Sequence, residues 1–439
     1  MLRRIEVQRF KSIRDAQLEF GRVNIFIGAN GSGKSNFLEA IGLISACFST
    51  GITAPELAKK GLRQSRPALM KSAHKGMRFP QTLELIAELD SNIEYKCNLT
   101  ARDGDASLHF HSESCSFSNE PEFGRSGNGD RIRGQALPRP AAKTRGLWDQ
   151  TKASTDFPHD LLREIDEFSE YKIYSPQTDY LRGVRPSSVY EDPIGLHGEG
   201  LPEAVSDVVR QYFGNVGKGR KGEDPSEESK AIKDITALTL DLAFLPGWTR
   251  SFRVGSIDPD LVPPELDNSA KNMLYFIDQY MHERRNTLSA YDSSEGTLFL
   301  LFMAVILCHK DAPRIFAVDN IDSALNPQLT RTLIEAIVKV SEKTVSSGIG
   351  VGAKQVFLTS HNPTSIDALD IFDNDQRVFV VYRDDRGLTK CDRLAPAKDM
   401  TRDEWAKRSG GKTLSQMWVT DQIPHINGLL KGGPQGLEL

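Results

Sequence analysis

The sequence has no continuous apolar run long enough to cross a bilayer. The longest lies near Leu298 to Cys308 and falls well short of the roughly 20 residues a spanning helix needs, so no membrane partner is expected. Cysteine is scarce as well. The five thiols, Cys47, Cys97, Cys115, Cys308 and Cys391, are scattered, odd in number and contain no C-x-x-C pair, which argues for thiols left free rather than a disulfide framework. Free thiols point to a reducing compartment. No secretory pattern opens the chain, since Met1-Leu2-Arg3-Arg4 runs straight into alternating strand-like residues, and a cytoplasmic protein is expected. Charge of one sign is also lacking: 55 basic residues face 59 acidic ones, a net charge of −4, so DNA contact would require a local basic patch. No 20- to 50-residue repeat argues for a solenoid, and no sustained heptads argue for a long coiled-coil arm.

What the sequence does contain is a complete G-x-x-x-x-G-K-[ST] phosphate loop, Gly28-Ala29-Asn30-Gly31-Ser32-Gly33-Lys34-Ser35. Val23 to Ile27 before it reads as a buried strand. Asn36 to Ile44 after it reads as a helix with Phe37, Leu38, Ile41 and Ile44 on one apolar face. Glycines at 28, 31 and 33 let backbone N–H groups turn toward a polyphosphate, where the helix dipole adds partial positive charge. Lys34 is the candidate for the β and γ phosphates and Ser35 for Mg²⁺, which makes ATP with Mg²⁺ the expected cofactor. A chance match of this pattern in a chain this long is rare once strand and helix flanks are demanded.

The remaining chemistry lies far downstream. Arg314 to Asp319 is a buried strand ending in a carboxylate, the pattern of a strand whose Asp supports Mg²⁺. Ser293-Ser294-Glu295-Gly296-Thr297 opens an apolar helix that runs to His309. Ser294 and the Gly296 amide either donate to a phosphate or form a plain helix N-cap. Gln355 to His361 is a further buried strand; a lone histidine in that place is usually structural, and only its order and spacing raise His361.

Between these halves, the segments Ile5 to Phe10, Ala16 to Phe20, Thr82 to Leu89, Ile93 to Thr100 and Ser107 to Phe117 predict antiparallel sheet. Ser118 to Gln150 is rich in Gly, Pro and Arg, including Arg125, Arg131, Arg133, Arg139 and Arg145, and is expected as a surface loop that buries little. Leu201 to Phe213 and Ala231 to Leu245 have helical spacing around a charged Lys218 to Asp224 linker, and Ser269 to Glu283 reads as a mixed element. Both basic stretches have two readings: a solvated connector, favoured, or an arm for DNA phosphates or a partner.

Taken together, Phe10-Lys11-Ser12, Gly28 to Asn36, Ser294-Glu295-Gly296-Thr297, Asp319 to Pro327 and Thr359-Ser360-His361-Asn362-Pro363 resemble the ABC-type ATPase heads of the SMC, RecF and OLD group. The resemblance covers about residues 1 to 50 and 285 to 385. It implies an α/β P-loop NTPase fold with an antiparallel β layer and a helical insertion. The expected domains are 1–117 and 286–439 as the two halves of the head, 118–160 as the Arg-rich insertion and 161–285 as a helical lid. It further implies nucleotide contacts from Asn30, Gly31, Ser32, Gly33, Lys34, Ser35 and Asn36, Mg²⁺ at Ser35 and Asp319, and a Q-loop candidate at Gln177. Two heads would sandwich ATP, with Ser294 and Gly296 supplied in trans, so a homodimer or higher oligomer is expected.

One departure stands out. Where the family pattern has Asp-Glu-Pro-Glu, this chain has Asp319-Asn320-Ile321-Asp322, and Asn320 orients water without accepting its proton. Hydrolysis is therefore expected to be slow, or to use Asp322, His361 or a group supplied in trans as helper, or else the head mainly senses ATP. The stretch after His361 leaves no room for a Toprim nuclease, and Asp384-Asp385 reads as a turn before Arg386-Gly387. No intrinsic nuclease is expected. A separate effector protein such as a nuclease, as in similar ATPase subunits of bacterial anti-phage systems, is the implied partner, and a DNA-clamping repair ATPase or a hydrolysis-poor scaffold are the alternatives.

Overall fold

The structure is a computed structural model describing residues 1–49, 51–184, 193–214, 227–262, 272–420 and 422–423. The Lys218 to Asp224 linker and the end of the Gly-rich tail lie outside the described residues, as do the first residues of the Ser269 to Glu283 element. In chain order the strands are β1 (Leu2–Phe10), β2 (Ile13–Glu19), β3 (Val23–Ile27), β4 (Leu83–Leu89), β5 (Ile93–Thr100), β6 (His109–Phe117), β7 (Glu120–Ser126), β8 (Gly129–Ile132), β9 (Gln135–Ala136), β10 (Lys172–Tyr174), β11 (Thr249–Ser256), β12 (Asn272–Asp278), β13 (Thr287–Ser289), β14 (Ile315–Val318), β15 (Gln355–Ser360), β16 (Gln376–Arg383) and β17 (Thr389–Leu394).

The chain divides into two compact units, the first made of residues 1–173, 315–320 and 355 onward. This unit holds two sheets. One is antiparallel, in the order β2-β1-β4-β5-β6-β7-β8-β9; the other is mixed, in the order β10-β14-β15-β3-β16-β17. Alternation sets the first: Leu83, Leu85, Ala87 and Leu89 of β4 are buried while their neighbours are half-exposed. In the second, β3, β14 and β15 are buried at every position, as expected for parallel strands covered on both faces. Helix α1 (Lys34–Phe48) packs against β1 and β4 of one sheet and β15 of the other. It is consequently buried around nearly its whole circumference, rather than on the single face expected. Phe20, Phe26, Phe37, Phe357 and Phe379 form the aromatic centre, with Phe26 stacked on Phe37 at 5.5 Å.

The Ser118 to Gln150 segment differs from the expected loop. Its backbone pairs onto β6 through β7, then β8 and β9, and Phe123, Leu147 and Trp148 are buried. Composition misleads here because one arginine is buried and matched and two more are ion-paired at the surface. Arg125 is buried, with its guanidinium 3.8 Å from Glu113 and 3.6 Å from Asp130 and donating to the Ala142 and Arg145 carbonyls. Arg133 pairs with Glu122 and Arg145 with Asp149, both arginines remaining exposed, as Arg131 and Arg139 are.

The second unit comprises residues 174–314 and 321–354. Its centre is the helix Glu295–Cys308, apolar on all sides and packed by the helices Leu201–Gly214, Glu227–Leu240 and Pro327–Ser346. The insertion is not purely helical, because β11, β12 and β13 form a three-stranded antiparallel sheet within it.

Candidate nucleotide site

Sheet register assembles the site from pieces hundreds of residues apart. β3 lies between β15 and β16 and runs parallel to both, pairing Ile27 with Ser360 and with Val380, while Val318 of β14 pairs with Leu358. The residues that follow β3, β14 and β15 therefore emerge at one edge, the carboxyl end of the parallel strands where open α/β sheets bind ligands. These residues are Gly28, Asp319 and His361. Because β17 returns antiparallel and pairs Thr389 with Arg383, Thr389 arrives at the same edge.

The phosphate loop is locked by close packing. A Cβ on Gly28 would sit 2.0 Å from the Val381 carbonyl oxygen. Gly33 has φ +108° and would place a Cβ 2.4 Å from Thr389 Oγ1. An oriented row of hydrogen bonds ties the loop to the rest of the unit. Asn36 Nδ2 donates to Ser12 Oγ at 2.6 Å, Ser12 and Thr389 hydroxyls meet at 2.7 Å, and Thr389 Oγ1 donates to the Ser32 carbonyl at 2.8 Å. Since the Thr389 proton is committed to Ser32, Ser12 is the donor to Thr389, and the row runs in one direction. Arg383 Nε adds a bond to the Gly31 carbonyl at 3.0 Å. Ala29, Asn30 and Gly31 at the loop apex are exposed, while Ser32 is buried.

Lys34 is buried and donates to the Gly28 and Ala29 carbonyls at 2.8 and 3.1 Å, with His361 Nδ1 at 3.1 Å. Ser35 Oγ lies 3.0 and 2.9 Å from the two Asp319 carboxylate oxygens. Thr359 Oγ1 donates to Asp319 Oδ1 at 2.5 Å and accepts the Asn320 N–H at 2.8 Å. His361 Nε2 is 3.1 Å from Asn320 Oδ1. Thus Lys34, Ser35, Asn36, Asp319, Asn320 and His361 are brought together in the first unit.

The surroundings are charged. Lys11 of the first hairpin pairs with Glu39, and Arg63 approaches Glu39 at 3.5 Å and Asp319 at 3.9 Å. Burial, with the Arg63 cation beside it, lowers the Lys11 ammonium to about 8. Burial pushes the Tyr171 phenol well above its ordinary range, and the Asp319 charge adds to that.

Gln177, Ser294, Gly296 and Asp322 belong to the second unit. Gln177 is exposed, caps a short turn, and has its amide 3.4 Å from His197 Nδ1. Ser294 occupies the N-cap of the helix Glu295–Cys308, is exposed and makes no capping bond, so the plain N-cap alternative lacks its hydrogen bond. Gly296 is buried against the Ala324 carbonyl, which a Cβ would meet at 3.1 Å. Asp322 is half-buried.

Two residues of the site had no signal in the sequence. Thr389 and Arg383 reach the loop only through the β16–β17 hairpin, 357 and 352 residues from their partners. The hairpin turn itself follows expectation, with Asp384 Oδ1 accepting the Arg386 and Leu388 N–H groups at 3.0 and 2.9 Å.

The oxygen donors at Ser35 and Asp319 suit a hard divalent cation. Among the described residues no cluster of three or more His, Cys, Asp or Glu side chains forms a closed metal cage. One hydroxyl and one carboxylate fit Mg²⁺, which keeps several waters and takes the rest of its shell from phosphate oxygens.

Residues 1–67 match the family model described as AAA ATPase domain, and residues 164–367 match the one described as AAA domain, putative AbiEii toxin, Type IV TA system. A 50-residue stretch, 11% of this chain, is 44% identical to the DNA replication and repair protein RecF of Phocaeicola vulgatus. These matches support an ABC/SMC/RecF-like ATPase head. The match to RecF spans only 14% of that relative's length. The head is also similar to an SMC head crystallised with the C-winged helix domain of ScpA, at 16% identity and TM-score 0.48 over 90% of this chain and 98% of that one. Against the SMC head domain from Thermotoga maritima the values are 12% and 0.40, over 89% and 97% of the two chains. The ATP-bound recombination mediator RecF gives 13% and 0.31, over 89% and 99%. No helix among the described residues is long and apolar enough to cross a membrane.

Proposed function

We propose that this head binds ATP with Mg²⁺ at the loop Gly28–Ser35 and uses it as a dimerisation switch that controls a partner. The observation that carries this reading is the convergence of Lys34, Ser35, Asp319 and Thr359 at one strand edge. In it, Asn30, Gly31, Ser32 and Gly33 wrap the phosphates with backbone N–H groups, Lys34 neutralises the β and γ oxygens, and Asn36 anchors the loop to Ser12. Ser35 and Asp319 hold Mg²⁺, which supplies charge neutralisation on the phosphates. Asn320 and His361 face the terminal phosphate and its water, with Asp322 as a further candidate helper. The missing carboxylate at position 320 makes turnover slow.

Ser294, exposed at a helix start without a capping bond, is the group a second copy presents to the nucleotide, alongside the Gly296 amide. Gln177 is a candidate nucleotide-sensing residue of the second unit. A homodimer formed in this way would gate a separate effector, such as a nuclease in anti-phage defence; the matching AbiEii-type family description favours this. DNA clamping in repair is the second reading, favoured by the stretch shared with RecF.

The test is ATP-dependent assembly. Lys34→Ala is expected to abolish nucleotide binding, measured by calorimetry. Ser294→Arg is expected to leave monomer binding intact and remove the ATP-dependent dimer in light scattering; an undisturbed dimer removes the sandwich model.

A further inference from the structure

Lys34, His361 and Asn320 form a hydrogen-bonded row whose donors and acceptors follow from chemistry alone. Lys34 Nζ is 3.1 Å from His361 Nδ1, and His361 Nε2 is 3.1 Å from Asn320 Oδ1. An ammonium has three donors and no acceptor, so Nδ1 must accept. A doubly protonated ring would set an N–H against that ammonium. The imidazole is therefore neutral with its proton on Nε2, and Nε2 donates. What faces it must be the Asn320 carbonyl oxygen, which leaves the amide NH₂ on the other branch of the same planar group.

The Asn320 backbone is equally constrained. Its φ is +61°, and its N–H is held by Thr359 Oγ1 at 2.8 Å, the same hydroxyl that donates to Asp319. The side chain thus starts from a fixed point one residue from the candidate metal carboxylate, and it is only half-buried. A carboxylate at position 320 would direct negative charge at a phosphate, whereas an amide turned in this way offers two N–H donors.

We propose that Asn320, oriented by His361, donates a hydrogen bond to the terminal phosphate of a bound nucleoside triphosphate and so makes the site discriminate triphosphate from diphosphate. This rests on the nucleotide reading above and gives Asn320 a recognition role in addition to the loss of a base. His361 is a positioning residue: Lys34 on one side sets its tautomer, and the tautomer sets which end of the amide turns outward.

The experiment titrates the full chain, with Mg²⁺, against ATPγS and ADP by calorimetry. Asn320→Asp keeps the size but replaces the donor, and is expected to weaken ATPγS about 10- to 100-fold, the scale of a hydrogen bond to a charged group, while leaving ADP unchanged. Asn320→Gly, suited to the positive φ, should show the same selective loss without adding charge. His361→Ala should reproduce it, and His361→Gln, which retains a donor, should recover part of it. Independently of nucleotide, ¹⁵N resonances of the His361 ring should show the Nε2–H tautomer. An unchanged ATPγS-to-ADP ratio in both Asn320 variants, or an Nδ1–H tautomer, overturns the proposal and leaves nucleotide binding standing. A wild-type chain that binds neither nucleotide removes the nucleotide reading itself, and this inference with it.

Discussion

Replacing Thr389 by valine tests whether the phosphate loop is held from outside. The side chain is buried, and its hydroxyl joins Ser12 to the Ser32 carbonyl at 2.7 and 2.8 Å. Valine keeps the shape and removes both bonds. At about 1 kcal/mol net for each, the two bonds together are worth about 2 kcal/mol, and the buried Ser32 carbonyl left without a donor only adds to that cost. The row from Asn36 through Ser12 loses its terminus as well, and Asn36 sits in the first turn of α1. A chain of two compact units does not report such a change as one clean melting temperature, so the assay should be local. Amide hydrogen exchange resolves it. If loop opening breaks these bonds in the wild type, losing about 2 kcal/mol speeds exchange of the amides of residues 32–36 about 30-fold, with the helix His159–Ser169 unaffected. Unchanged exchange in the loop would refute the idea that Thr389 secures it.

Two further outcomes are expected. Glu113 is fully buried, its carboxylate accepting from Tyr95 and the Leu147 N–H, and burial raises its pKa from 4.5 to about 7 despite the Arg125 guanidinium nearby. The folded state therefore binds more protons than the unfolded one between these values, so its stabilising contribution is complete below about 4.5 and is lost as pH rises through about 7. Glu113→Gln should flatten that decline, by about 3 kcal/mol at most, in urea midpoints compared between pH 5 and 8; parallel wild-type and variant profiles would contradict it. Asn320→Glu supplies the absent proton acceptor and should raise steady-state phosphate release, toward the lower end of the about 10²–10⁴-fold that a positioned general base contributes. Unchanged or lower turnover at saturating ATP would count against the missing-base account.

Much of the first unit was legible because its signals are local. Val23–Ile27 emerges as β3 with the expected bounds, and the antiparallel strands from Leu83 to Phe117 follow the alternation of apolar residues. Ser118 to Gln150 was not legible, because its strands are stabilised by pairing to β6 and by buried ion pairs at Arg125, neither of which composition records. The single apolar face assigned to α1 failed for a related reason. Amphipathicity reports one covered side, whereas α1 is covered by two sheets.

The sequence by itself determined the chemical vocabulary of the site: a glycine loop that only glycine backbones permit, a lysine, a serine, an aspartate at the end of an apolar strand, and an asparagine where a glutamate is expected. These depend on residue type and on neighbours within a few positions. Only the tertiary structure decided which of them meet. Parallel register of β14, β15 and β3 carries Asp319 and His361 to the loop, and the β16–β17 hairpin brings Thr389 from 357 residues away to close it. The direction of the Asn320 amide is likewise a tertiary fact, because it depends on a proton that Lys34 denies to one nitrogen of His361 and leaves on the other.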